Sequence, residues 1–404
     1  MDNVDGAVHV EVPWNRQRLR SNNERLLLEQ LRAAGPTSRA QLARDTGLSK
    51  PTVSHALATL EEYGLVRTAG TSAAERGRTA LLYEPDPTAG YVLGIDIGRA
   101  RLRAAVADLS GSVLARADLP NRERTATGVA DAAAGAAADA LAEAGVSADR
   151  VIHAAAGTPG VFDPEHGRVR FAVNLPGWGR AGLFGRIGER LGGVELSVHN
   201  DANLAALGEY DLGAGRGSRL FVYVLIGTGL GVGIVAGGQL FTGAHGAAGE
   251  VGFLPVSFTG PAGSSAAEPP RRGALEEAVS ADAVVRAARE QGMTGRLTAK
   301  SVFEHARQGD ASALAAVRQE GERVAHVVAA LSALLDPDVV VLGGGVGHGA
   351  DLLLEPVRQV LHDTTPLRPE VAASELGDDA VLLGAITTAL RTARPRVFDR
   401  FAAR

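Results

Sequence analysis

Residues 91–108 read YVLGIDIGRARLRAAVAD. Two apolar runs of strand composition, Tyr91 to Ile97 and Leu102 to Asp108, flank the glycine-led Gly98-Arg99-Ala100-Arg101, and a second turn at Ser110-Gly111 leads to another short strand. The stretch predicts a meander that opens a domain. A comparable unit recurs at Leu220 to Ile226 and Val232 to Ala236, joined through Gly227-Thr228-Gly229-Leu230-Gly231, which predicts an internal repeat and two lobes. Helical patterns cover Val129 to Ala144 and Ala315 to Leu335, and a final helix follows Gly384. Strand patterns cover Val151 to Ala156, Val194 to His199 and Asp338 to Leu342, the last running into Gly343-Gly344-Gly345. This alternation indicates an α/β body. Thr259 to Arg272, rich in Gly, Pro, Ser and Ala, reads as an exposed loop.

Upstream, Glu84-Pro85-Asp86-Pro87 reads as a short stiff linker. Before it, Leu27, Leu28 and Leu31 form a helical apolar stripe that Gly35-Pro36 stops, and Ser38 can cap a second helix ending at Gly47. Ser49 caps a third, with Pro51 in the first turn, Val53, Leu57 and Leu60 facing inward, and Lys50, Thr52, His55 and Thr59 outward. After Gly64, Leu65 to Thr68 pairs with Thr79 to Tyr83 as a two-stranded wing, with Arg76 and Arg78 near its tip. Helices of this order with a wing present polar groups to a DNA groove, and Ser49, Lys50, Thr52, Ser54, His55, Arg76 and Arg78 are the candidate contacts. Any one of them also reads as solvated surface, and the whole as a protein-contact module.

Composition bounds these readings. A chain of 404 residues suits two or three domains, and 45% hydrophobic with 22% charged residues describes a globular protein. With no cysteine, the chain cannot form a disulfide, a catalytic thiolate or a thiolate zinc site. No apolar run approaches a membrane span and Met1 to Arg20 has no signal-peptide core, so a cytoplasmic location is expected. The net charge of -5 divides unevenly: residues 14–83 hold 11 Lys+Arg against 6 Asp+Glu, and the rest 30 against 40. A locally basic module on an acidic body points to a polyanion partner for the module alone.

Asp96-Ile97-Gly98, the second glycine hairpin and Gly343-Gly344-Gly345, in that order, resemble the nucleotide-binding pattern of actin-like sugar kinases, and most closely that of the ROK family (repressor, open reading frame, kinase). The resemblance runs from about Tyr91 to the C-terminus, and with the winged helix included it extends to the family's transcriptional regulators. It implies a winged helix-turn-helix followed by a two-lobed actin-like ATPase fold. The expected organisation is an arm over 1–20, the DNA-binding domain over 21–84, a linker over 85–90, a first lobe over 91–200 completed by the C-terminal helix 385–404, and a second lobe over 201–384. By resemblance, Asp201 in His199-Asn200-Asp201-Ala202-Asn203 matches the family's catalytic base, here a vestigial candidate, and Asn200 a sugar contact. Gly157-Thr158-Pro159-Gly160 and Asn174-Leu175-Pro176-Gly177-Trp178 resemble ligand-side loops, and Glu250 and Glu276 match sugar-binding glutamates. The implied sugar set is Gly160, Asn174, Asn200, Asp201, Glu250 and Glu276; the implied nucleotide set is Asp96, Gly98, Gly227, Thr228, Gly229 and Gly344. Each has a plainer reading too: Asn174 and Asn200 as turn caps, the glutamates as paired surface groups, the glycine runs as tight hairpins.

The chain departs from the family pattern twice. Arg99 and Ala100 stand where active members carry Gly-Thr, which crowds the first phosphate turn and removes a hydroxyl donor, although Arg99 could itself bind an anion. Phe253 replaces the family's zinc-binding histidine, and Ala267, Pro269 and Ala274 hold the cysteine positions, so no zinc is expected. Nearby His245 reads as a bystander. The expectation is a DNA-binding regulator of carbohydrate metabolism, a repressor rather than an enzyme, using neither zinc nor ATP. Its expected partners are operator DNA and a sugar or sugar phosphate, in a homodimer or homotetramer without a membrane. The alternative is an ATP-dependent sugar kinase with an appended DNA-binding domain.

Overall fold

A computed structural model describes residues 16–73, 79–172, 175–254 and 273–402. The 259–272 loop of the sequence reading lies outside them. The chain divides into two compact units: the described residues up to Gly90 together with those from Arg394 onward, and Tyr91–Ala393.

In the N-terminal unit the order is α1 (Arg16–Ala34), β1 (Thr37–Ser38), α2 (Arg39–Thr46), α3 (Lys50–Glu62), β2 (Val66–Ala73) and β3 (Thr79–Pro85). Helix α1 is described from Arg16, and residues 1–15 of the 1–20 arm lie outside the described residues. Leu27, Leu28, Leu31, Leu42, Val53, Leu57 and Leu60 are fully buried and form one core between the three helices. Gly47 ends α2 in the left-handed conformation (φ 70°) that the sharp interhelical turn requires. The wing has a third strand that the sequence did not announce: β1 pairs with β3 through Thr37 opposite Tyr83, giving the order β1-β3-β2. Two residues are too short for a periodic signal. Arg32 donates to the Arg394 carbonyl at 3.2 Å, which ties the chain's last turns to α1.

The second unit builds one topology twice. Its first half runs β4 (Tyr91–Ile97), β5 (Arg101–Asp108), β6 (Val113–Pro120), α4 (Ala126–Glu143), β7 (Val151–Thr158), β8 (Val161–Asp163), β9 (Arg168–Arg170), α5 (Leu183–Arg190), β10 (Leu196–Asn200) and α6 (Asp201–Leu212). The second runs β11 (Leu220–Ile226), β12 (Leu230–Ala236), β13 (Gln239–Leu240), α7 (Ala274–Ala278), α8 (Ala281–Glu290), α9 (Ala299–Arg307), α10 (Ala311–Leu335), β14 (Val339–Gly343), α11 (Gly344–Gly347), α12 (Ala350–Thr364), β15 (Glu370–Ala373) and α13 (Ala380–Ala402), the last helix counting with this unit up to Ala393. The sheets read β10-β7-β4-β5-β6 and β13-β12-β11-β14-β15. In each, the first strand carries an antiparallel meander on one side and two parallel strands on the other. Every residue of β4, β7 and β14 is buried, as parallel strands covered on both faces require.

Helices α6 and α13 approach backbone to backbone through Gly208 and Gly384: a Cβ on Gly384 would stand 1.8 Å from the Leu204 carbonyl oxygen, and one on Gly208 2.6 Å from that of Ala380. No side chain fits between these helices. Gly384→Ala is expected to destabilise the protein by about 1–3 kcal/mol, as overpacking does. Gly135→Ala, on exposed helix where a Cβ meets nothing within 4 Å, should be neutral or stabilising. Urea unfolding of the two variants checks this, and equal stability would refute the close-crossing argument.

Candidate functional site

Two features are candidates, one in each unit. In the first, the Ser49 hydroxyl accepts from the Thr52 N–H at 3.3 Å and caps α3, while Val53, Ala56, Leu57 and Leu60 bury its inner face. Ser49, Lys50 and His55 are exposed, and Thr52 and Ser54 half-buried. The Thr52 hydroxyl lies 2.8 Å from that of Ser49, so it serves the cap as well as the surface. Five of the seven candidate DNA contacts thus lie on the first turns of one anchored helix. Arg76 and Arg78 lie outside the described residues.

In the second unit, parallel strands carry chemistry to one edge. Register pairs Asp96 on β4 with Gly157 on β7, and Thr158 with Asn200 on β10, so Asp96, Pro159-Gly160 and Asn200-Asp201 emerge side by side at the strands' carboxyl ends. The β11–β12 turn, closed by the Gly227 N–H on the Gly229 carbonyl at 2.9 Å, and the end of β14 bring the second sheet's glycines to the same place. Asp96, Pro159, Gly160, Asn200, Asp201, Gly227 and Gly229 line one cavity of about 420 Å³, together with Thr228, Glu250, Glu276 and Gly344. Of the twelve residues singled out for sugar or nucleotide, only Asn174 is not placed there; it lies outside the described residues.

The cavity's carboxyls are costly to ionise. Burial pushes Asp201 up to about 6 against the backbone N–H groups that oppose the shift, one of them from Ala202 at 2.9 Å. Glu250 rises to about 7 through burial, then the charges of Asp201 and Glu276. Asp96 also rises to about 7, because burial outweighs the guanidinium of Arg103 at 3.2 Å and Asp201 adds repulsion. Arg103 was not singled out from sequence. The signal lay in the hairpin register, which sets Arg103 directly across from Asp96.

Other details refine the reading. Asn200 is a helix cap: its Oδ1 accepts from the Asn203 N–H and its Nδ2 donates to the Gly160 carbonyl, both at 3.2 Å, which leaves one hydrogen and one lone pair for a ligand. Trp178 is a core anchor, fully buried, its indole donating to the Thr158 hydroxyl at 2.7 Å and its ring packed edge-on against Phe184. Phe253 and Phe171 line the cavity as an edge-to-face pair, centroids 5.7 Å apart, with Phe171 in a left-handed conformation (φ 63°) unusual for an aromatic residue. His245 does not line the cavity, and its carbonyl accepts from Arg170. Among the described residues, Asp163, Glu165 and His166 could offer three ligand atoms to a metal, on a largely exposed turn elsewhere. A family-type zinc site does not fit this chain, which has phenylalanine at position 253, alanine at 274 and no thiol; Ala267 and Pro269 lie outside the described residues.

The model of the ROK family matches residues 92–392, and that of the IclR helix-turn-helix domain residues 26–70. A glucokinase of Halalkalibacterium halodurans is 32% identical over 319 residues, spanning 73% of this chain and 93% of that protein. A xylose repressor of Caldicellulosiruptor bescii is 26% identical over 394 residues, spanning 92% of this chain and 96% of that one. The solved structure of a ROK family transcriptional regulator, a homolog of the E. coli MLC protein, superposes with a TM-score of 0.74 at 22% identity over 94% of this chain and 99% of its own, a likeness of fold.

Raised carboxyl pKa values have a thermodynamic consequence. Glu250 keeps its proton in the folded chain up to about pH 7 but loses it near 4.5 when unfolded, so its contribution to stability is full below the unfolded value and declines as pH rises through the folded one. Glu250→Gln, which cannot ionise, is expected to gain in thermal midpoint over the parent as pH is raised from about 5 to about 8. A constant difference across that range would show the carboxyl to be solvated.

Proposed function

The chain belongs to the ROK family, and from that premise we propose that it is a transcriptional regulator that binds double-stranded DNA through α3 and binds a sugar or sugar phosphate in the cavity, which lowers its affinity for DNA. The observation that carries the proposal is the combination in one chain of a capped helix with an exposed basic first turn and a cavity whose polar groups converge. The IclR-type helix-turn-helix match and the near full-length likeness to a xylose repressor support it. Lys50, His55, Ser49 and Ser54 would meet phosphates and base edges. Asp201, Glu250 and Glu276 would accept hydrogen bonds from ring hydroxyls, and when protonated the first two would also donate. A dimer would place two such helices on two half-sites.

A sugar kinase is the second reading, favoured by the glucokinase relative and by Asp201, whose pKa of about 6 suits a general base. A kinase needs a metal nucleotide, and the residues present do not fit one. Asp96 is bound to Arg103, so a divalent cation would have to displace a guanidinium from a carboxyl that burial already disfavours as an anion.

Fluorescence anisotropy with DNA from upstream of the protein's own coding sequence tests the proposal. Lys50→Ala and His55→Ala together are expected to weaken binding at least about tenfold without lowering the thermal midpoint. Asp201→Asn should leave DNA affinity intact while abolishing its response to a sugar panel. Sugar-dependent ADP release by the parent chain, absent in Asp201→Asn, would instead establish the kinase.

A further inference from the structure

The turn Gly98 to Arg101 is rigidly built. The Gly98 N–H donates to the Arg101 carbonyl at 2.9 Å, the Asn121 side chain donates to the Gly98 carbonyl at 2.9 Å, and the Asn121 N–H donates to the Ala100 carbonyl at 2.9 Å. A side chain on this turn starts from a fixed backbone.

Three arginines from the turn and the strand behind it line the cavity. Two are committed to carboxylates: Arg101 donates to Asp118 at 2.6 Å, and Arg103 bridges Asp96 at 3.2 Å and Asp118 at 3.5 Å while also donating to the Asp378 carbonyl. Two cations face two acids, and their charges cancel. Arg99 stands apart: it is exposed, lines the cavity, and has no hydrogen-bond or ion-pair partner among the described residues. The group it replaces in the family pattern would have left a bare turn. Here the same place holds one uncompensated, planar set of N–H donors whose geometry matches a tetrahedral oxyanion.

We propose that Arg99 forms an anion subsite that receives the phosphate of a phosphorylated sugar whose ring lies against Asp201, Glu250 and Glu276. This rests on reading the cavity as a sugar site and narrows its ligand to a phosphate monoester without a metal. The opposite signs within one cavity orient the ligand: hydroxyls turn towards the carboxyls and phosphate towards the guanidinium, since the reverse pose sets like charges together. A magnesium nucleotide is the poorer fit, because Arg103 already pairs with Asp96 and leaves that carboxyl no free charge for the ion.

Isothermal titration calorimetry on the full chain tests this with orthophosphate, glucose 6-phosphate, glucose and magnesium AMPPNP, on the parent, Arg99→Ala and Arg99→Lys. Orthophosphate is expected to bind the parent and to weaken at least about tenfold in Arg99→Ala, with partial recovery in Arg99→Lys. Glucose 6-phosphate should bind more tightly than glucose, and the preference should disappear in Arg99→Ala with glucose affinity unchanged. If free phosphate and the ester bind with equal affinity, the subsite serves free phosphate and the sugar-phosphate assignment is overturned. Orthophosphate affinity that is absent, or the same in all three proteins, overturns the subsite itself, as does magnesium AMPPNP binding more tightly than either phosphate. No DNA enters the experiment, so its failure is distinct from failure of the regulator reading, which shows as sugar-insensitive DNA binding.

Discussion

Carboxyls crowded into a partly dehydrated cavity cannot all be anions, and the rest of the body is arranged around that constraint. Burial raises Asp96, Asp201 and Glu250, the charge of Asp201 pushes Asp96 and Glu250 higher, and that of Glu276 adds to the shift at Glu250. Each added charge makes the next harder to hold, because the low effective dielectric strengthens repulsion and removes hydration together. The fold answers differently at the two ends. At Asp96 it supplies an internal cation, Arg103, placed by strand pairing. At Asp201 and Glu250 it supplies no cation among the described residues, and those groups are left to protons or to a ligand rich in hydroxyls. An apolar ligand would leave them unsatisfied, and a second anion would worsen the repulsion, so the constraint itself selects a polyol at this end.

Much of the architecture was legible in the chain because it rests on local rules. Glycine turns between apolar runs marked both meanders, and their recurrence marked the repeated sheet. Ser38, Gly47 and Ser49 marked the helix boundaries of the N-terminal unit through capping, which needs only neighbours in sequence. What escaped reading is nonlocal or short. Strand β1 has two residues and exists only because β3 passes beside it. Arg103 looked like one more charged residue in an alternating strand until pairing set it across from Asp96. Trp178 sat in a segment read as ligand-side, yet its indole hydrogen bond and ring contacts make it the buried anchor of that segment. Asn200 shows how the two readings of one residue coexist: it caps α6, as a bare sequence suggests, and it also lines the cavity, because the cap lies at the sheet edge where the site is formed.

Coupling between such a cavity and DNA obeys an arithmetic that contacts alone do not reveal. A ligand alters DNA affinity only by the ratio of its own affinities for the DNA-bound and DNA-free forms, and a tenfold response needs a difference of about 1.4 kcal/mol. Hydroxyls bonded to Asp201 and Glu250 do not supply that difference if both forms hold these groups alike. It arises where the cavity's walls shift, and its two walls come from two separate sheets, β10-β7-β4-β5-β6 and β13-β12-β11-β14-β15. Asp96, Asn200 and Asp201 belong to the first sheet's edge, while Glu250, Glu276 and the glycine turns belong to the second half of the body. A ligand touching both stabilises the arrangement that brings them together. The specificity of the response therefore lies less in any one hydrogen bond than in whether one molecule can satisfy both walls at once.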